Sequence, residues 1–263
     1  MALPDNEEQL VKAVKLAREE GVEPLFVGIG SNLLVDDNGL GALVIKTAPQ
    51  MNTCHVEGEL VTAWAGAPLA QVAKTAADHS LTGLEFAHGI PGSLGGAVVM
   101  NAGAYGGEMC QVVRCVRVLD PDCTVAELSA EQCDFSYRHS AFSDGSRLVL
   151  SATMKLKPGD QPAIFADMAE LMERRRSKQP LEWPSAGSTF KRPVGYFAAA
   201  LIDQCGLKGF TVGGAQVSEK HAGFVINAGG ATCRNILDLM DAVRERVYRE
   251  TGVELEPEVK YLR

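Results

Sequence analysis

The 263-residue chain has little of what usually announces a function. Basic residues are outnumbered, 25 Lys and Arg against 33 Asp and Glu, leaving a net charge of −8. A chain without a basic excess gains nothing from counterion release, so binding to nucleic acid is not expected. A small anionic ligand held by a few local cations remains compatible. No stretch reaches the ~20 apolar residues that cross a bilayer. The opening segment MALPDNEEQL has no apolar signal core. These absences point away from a membrane and toward the cytoplasm. Cys54, Cys110, Cys115, Cys123, Cys133, Cys205 and Cys233 are odd in number and contain no Cys-x-x-Cys pair. That disfavours a disulfide framework or a zinc site and suits a reducing compartment. His88, His139 and His221 have no metal-ligand spacing, so no metal is expected. There is no Lys-Ser/Thr to complete a Walker A loop, no Gly-x-Ser-x-Gly elbow and no internal repeat.

Glycine is abundant and unevenly spread. The stretch GLEFAHGIPGSLGGAVVMNAGAYGGE, from Gly83 to Glu108, holds eight of the 27 glycines. Each costs backbone entropy and offers no side chain to pack. Such a run suits backbone pressed against a ligand, with bare N–H groups facing phosphate or carbonyl oxygens. Gly89–Gly96 leads toward a short helix whose N-terminus favours an anion. A second cradle, Gly28-Ile29-Gly30-Ser31-Asn32, follows the apolar run PLFVGI. It lacks the third glycine of a dinucleotide fingerprint, so alone it reads equally well as a turn.

Apolar periodicity divides the rest into alternating helices and strands. A capping box at Asp5 and Glu8 opens a helix to Glu20, with Leu10, Val14 and Ala17 on its apolar face. Strands are expected at Pro24–Ile29, Ala42–Lys46, His55–Ala63 (with a bend at Glu57-Gly58-Glu59), Val112–Asp120, Thr124–Leu128 and Arg147–Leu156. A helix is expected over Pro68–His79, and the short one after Ser93 over Leu94–Asn101. After Lys157-Pro158-Gly159-Asp160 come helices over Ala163–Lys178, Val194–Cys205 and Thr232–Thr251. Strands Phe210–Val217 and Gly223–Asn227 lie among them, with an edge strand Val253–Leu262 at the end. The expected division is 1–160 and 161–263. Arg138, Ser188 and Glu258 stand in polar segments where residue type alone suggests, respectively, a surface cation, a turn residue and a solvated edge charge.

Taken together, six ordered segments resemble the UDP-N-acetylenolpyruvoylglucosamine reductase family. They are VGIGSNLLVDDNGLGALVIK, the Gly83–Glu108 stretch, FSYRHSAF, PSAGSTFKRP, LKGFTVGGAQVSEKHAGFVINAGGAT and LEPEVKYL. They occur in the family's order and cover most of the chain from residue 27 onward. The resemblance implies an α+β fold: a two-lobed FAD-binding domain of the vanillyl-alcohol-oxidase-like (PCMH-type) class, followed by an α+β substrate domain. It implies non-covalent FAD held by Gly28, Gly30, Ser31, Asn32, Gly89, Pro91, Gly92, Ser93, Gly95, Gly96, Asn101, Gly103 and Tyr137. NADPH would be the co-substrate and a UDP-sugar the substrate.

Arg138, Ser188 and Glu258 match the family's catalytic Tyr-Arg, Gly-Ser-x-Phe and Pro-Glu-Val positions. The implied reaction adds hydride and a proton across an enol ether double bond. Arg138 would hold the carboxylate on which charge develops, Ser188 would deliver the proton, and Glu258 would act near the same carboxylate. The compact Gly206–His221 segment resembles the shorter subtype, without a substrate-covering insertion. The family's N-terminal strand with a Thr-Thr/Ser-x-x-x-Gly-Gly motif has no counterpart before Glu7. Either the start is truncated or misassigned, or this member does without the strand, in which case weaker FAD retention is expected. Two alternatives stand beside this reading: an FAD-dependent oxidase of the same fold, and an inactive flavin-binding remnant. The oligomeric state is not fixed by sequence. Lys191, Arg192, Lys208 and Lys220 are candidates by charge for the UDP pyrophosphate.

Overall fold

The computed structural model describes residues 1–48 and 50–263. The chain forms two compact units: 1–30 with 42–173, and 31–41 with 174–263. A single division near residue 160 is therefore not what the contacts give. The boundary falls inside the helix Gln161–Lys178, and an early segment joins the later unit.

The first unit has two lobes. In one, helix Glu7–Glu19 buries Leu10, Val14 and Ala17, the face expected from their spacing. Its cap lies one residue later than expected. Extended Asn6 accepts from the Gln9 backbone N–H at 3.0 Å, and Gln9 Oε1 accepts from the Asp5 N–H at 2.9 Å. The cap is thus Asn6, whose backbone is extended, and Gln9 reaches one residue beyond it to Asp5. Beside this helix, strands Leu25–Val27 and Val44–Lys46 pair in parallel.

The other lobe is a five-stranded antiparallel sheet in the order Val125–Ser129, Val113–Leu119, Leu148–Lys155, Leu60–Trp64, Cys54–Glu57. The expected strand His55–Ala63 is two strands, since Gly58 takes a left-handed φ of 56° and reverses the chain. Helices Leu69–Asp78 and Leu94–Val99 contribute to this lobe's core. The central strand Leu148–Lys155 is almost continuously buried because it serves two cores. Leu148 and Leu150 pack with Leu10 and Ile45, whereas Val149, Ala152 and Met154 pack with Val61, Val72 and Leu94.

The second unit is built on helix Cys233–Thr251. Thr232 and Asn235 cap its start reciprocally at 3.1 and 3.2 Å, and Gly252 ends it at φ 70°. Leu239, Met240, Val243 and Val247 are buried in a core shared with helix Ala198–Gln204 and a three-stranded antiparallel sheet. That sheet is Thr211–Val212, Ala215–Val217 and Val225–Asn227. Two expectations fail here. The strand over Phe210–Val217 is a hairpin turning at Gly213, and the helix expected from Val194 begins only at Ala198. The expected edge strand Val253–Leu262 shortens to Lys260–Leu262, paired in parallel with Leu33–Val35.

Candidate active site

In the first unit, the two glycine loops meet. Strand Leu25–Val27 runs into Gly28, and any side chain there would collide with Ser93 Oγ. Ser93 is 2% exposed and precedes helix Leu94–Val99, yet its hydroxyl does not cap that helix. Gly92 sits at φ 143°, a conformation that glycine alone adopts readily. The expected anion cradle is narrower than the sequence suggests. The Leu94 N–H goes to Ala67 O and the Gly95 N–H to Ala65 O, both at 2.8 Å. A methyl at Gly95 would lie 2.8 Å from Ala65 Cβ, so this glycine seats the loop on its neighbour. His88 Nδ1, in the same loop, is buried without a hydrogen-bond partner. Close-packed bare backbone with an open buried polar atom fits a phosphate-bearing cofactor such as FAD.

The Tyr-Arg pair occupies a tight turn. Ser136 and His139 exchange backbone hydrogen bonds, each of 3.1 Å, with Tyr137 and Arg138 at the tip. Arg138 has a left-handed φ of 54°. Its guanidinium lies 5.1 Å from the Tyr137 ring centroid, and Nη2 donates to Gly103 O at 3.4 Å. Both flanks of the turn are tied to one earlier segment. Ser140 Oγ donates to Val99 O at 2.7 Å, and Asn101 Nδ2 donates to Ser136 O at 3.0 Å.

In the second unit, Thr189–Lys191 runs between two partners. Thr189 N–H donates to Gly223 O at 2.9 Å, while its carbonyl accepts from Glu258 N–H at 2.9 Å. Lys191 N–H donates to Glu256 O at 2.8 Å, and Phe190 bridges Pro257. This ladder brings the Ser188 and Glu258 segments side by side. Glu258 is half-buried, unlike a solvated edge charge. Arg138 belongs to the other unit.

The GIGSN loop is divided: Gly28 and Gly30 lie in the first unit, Ser31 and Asn32 in the second. Asn32 Nδ2 donates to Glu258 O at 3.1 Å, and Asn32 O accepts from Lys260 N–H at 3.0 Å. The Asn32 side chain thus braces the Glu258 backbone. Among the candidate cations, Lys208 pairs with Asp203, Lys220 with Glu182 and Lys191 with Glu256. Desolvation, then the nearby Lys191 charge, pushes the Lys260 ammonium below its ordinary range.

Residues 1–129 match a model described as an FAD binding domain, and residues 179–262 match the UDP-N-acetylenolpyruvoylglucosamine reductase C-terminal domain. The UDP-N-acetylenolpyruvoylglucosamine reductase of Clostridium perfringens is 49% identical over 262 residues, 100% of this chain and 86% of its own. That of Limosilactobacillus fermentum is 50% identical over 262 residues, 100% and 87% of the two chains. This chain belongs to the UDP-N-acetylenolpyruvoylglucosamine reductase family. The crystal structure of the Thermus caldophilus UDP-N-acetylenolpyruvylglucosamine reductase superposes with a TM-score of 0.86 at 34% identity, covering 99% of this chain and 91% of that one. An FAD-binding α+β domain followed by an α+β reductase domain is therefore the architecture of this chain.

Sequence reasoning missed His88, Lys260 and the true partners of Asn101. Lys260 directly follows the Pro-Glu-Val segment, but nothing in its spacing sets it apart from other surface lysines. Asn101 was expected near the flavin. Its side chain is 1% exposed and committed to protein: Nδ2 to Glu108 Oε2 at 3.1 Å and to Ser136 O, and Oδ1 to Cys110 N–H at 2.9 Å. Among the described residues no cluster suits a metal ion, and no helix is long and apolar enough to cross a membrane.

Proposed function

We propose that this chain reduces the enolpyruvyl ether of UDP-N-acetylglucosamine enolpyruvate to the lactyl ether of UDP-N-acetylmuramate. The reductant is NADPH, the resident cofactor is non-covalent FAD, and the reaction serves peptidoglycan synthesis in the cytoplasm. The observation that carries this is the match, over the whole of this chain, to reductases of this name. Arg138, Ser188 and Glu258 are the residues assigned to the chemistry. Bound FAD supplies the hydride exchange between NADPH and the substrate double bond. Gly28, Gly30, Ser31, Gly89, Pro91, Gly92, Ser93, Gly96, Gly103, Tyr137 and His88 are the residues through which the chain would hold it.

Addition of hydride to the terminal carbon leaves negative charge on the neighbouring carbon and its carboxylate. Arg138 binds that carboxylate through its planar fork, a contact that strengthens as charge develops. Ser188 gives its hydroxyl proton to the neighbouring carbon. Glu258, on the next rung of the ladder, acts near the same carboxylate through a proton or a hydrogen bond. Lys260, beside the Lys191 charge, joins Lys191, Arg192, Lys208 and Lys220 as a candidate cation for the substrate pyrophosphate.

The test is an anaerobic titration. FAD-loaded protein should bleach with NADPH and recolour when UDP-N-acetylglucosamine enolpyruvate is added. Failure to recolour, or rapid oxygen-dependent turnover of a polyol instead, would overturn the assignment.

A further inference from the structure

Asn101 stands at the C-terminal end of helix Leu94–Val99, two residues past its last residue, with a left-handed φ of 40°. Glycine is the usual occupant of such a position. Asparagine tolerates the conformation less well, so its side chain needs a reason to be there. The side chain is buried and joins three segments. Its amide N–H groups reach Glu108 Oε2 and Ser136 O, and its oxygen accepts from Cys110 N–H. Ser136 O is the same carbonyl that accepts from His139 N–H to close the Tyr137-Arg138 turn.

We propose that Asn101 is a positioning residue for Arg138: it fixes the base of the Tyr-Arg turn and thereby the direction of the guanidinium. The proposal rests on the role assigned to Arg138 above. Around the turn the supports converge. Asn101 holds its entry through Ser136 O, Ser140 Oγ holds its exit through Val99 O, and Gly103 O accepts from Arg138 itself. All three supports come from Val99–Gly103, the end of the glycine stretch. Of the three, the Asn101 side chain is the one that ties the turn to Glu108 and Cys110 as well. Arg138, with a strained backbone and a long flexible side chain, is the kind of residue that needs such support.

The test uses Asn101→Gly, which keeps the left-handed helix end and removes only the side chain. Asn101→Asp is the second variant, keeping size and the acceptor for Cys110 N–H while losing the donor to Ser136 O. Each FAD-loaded variant is followed by anaerobic stopped flow, first with NADPH and then with enolpyruvyl substrate. FAD affinity is measured separately by fluorescence. The expected result is FAD affinity and reduction by NADPH within about threefold of the parent, with reoxidation by substrate slowed roughly 10–100-fold, the scale of a small misplacement. Combining Asn101→Gly with Arg138→Lys should cost little beyond Arg138→Lys alone. Weakened FAD binding with normal reoxidation after reconstitution overturns the proposal, as do multiplicative effects in the double variant. If the parent itself is not reoxidised by the substrate, the functional assignment fails and this proposal falls with it.

Discussion

In the proposed reaction Arg138 and Ser188 act on the same half, and their removal should be distinguishable from loss of cofactor. Ser188→Ala should leave flavin reduction by NADPH intact and slow reoxidation by enolpyruvyl substrate ~10²–10⁴-fold. Normal reoxidation would remove Ser188 from its role. Arg138→Ala should slow the same step ~10²–10³-fold, as expected when one preorganised charge contact is lost, with a smaller change in substrate affinity. Single-turnover rates at saturating substrate decide this, and an effect confined to affinity would argue against transition-state stabilisation. At this scale the sequence conveyed residue types but not partners. Gly95 and Gly92 look alike in a glycine run, yet one N–H is spent on Ala65 O. Asn32 and Asn101 resemble cofactor ligands by position, yet both amides serve protein carbonyls. A carbonyl distant in sequence leaves no trace beside the residue that binds it.

Elements with a strong period were legible from the chain alone. The faces of Glu7–Glu19 and Cys233–Thr251 follow directly from Leu10/Val14/Ala17 and Leu239/Val243/Val247. The hairpin at Gly58 was legible as a bend, since Glu57 and Glu59 interrupt the strand there, whereas the one at Gly213 was missed because Phe210–Val217 reads as one strand. The capping pair Thr232/Asn235 gives a test at this level. Thr232→Ala should cost about 1 kcal/mol and lower the thermal midpoint, whereas Thr232→Asp should retain most of the stability. Equal losses in both variants, measured by calorimetry, would deny the cap its role. The glycine loops provide another. Gly28→Val drives a side chain into Ser93, so the variant should keep its far-ultraviolet dichroism yet purify with little bound flavin. A variant as yellow as the parent would show that the two loops separate easily.

For the molecule as a whole, acid sensitivity should enter through the second unit. His221 Nδ1 accepts from Gly223 N–H at 3.1 Å, and its ring meets Phe224 edge-on. Burial, with smaller effects from Lys208 and Lys178, holds its pKa below the ordinary histidine value. The unfolded chain therefore takes up a proton near pH 6.5 while the folded one resists it. This contribution to stability is complete above that pH and declines as pH falls toward the lower folded pKa. His221→Asn, whose short side chain can still accept from the N–H two residues on, should flatten the thermal midpoint between pH 7 and 5.5. An unchanged slope would place the acid sensitivity elsewhere.

The pairing of Leu33–Val35 with Lys260–Leu262 has a consequence for how the protein is made. On the ribosome, the first unit has all of its residues once position 173 has emerged, and its core can close early. The second unit holds residues 31–41 from near the start of synthesis but lacks their partner strand until residues 260–262 follow. Through most of translation, Leu33–Val35 is an unpaired strand edge attached to a folded body. That interval, rather than the finished protein, is when this chain is most exposed to mispairing with its neighbours.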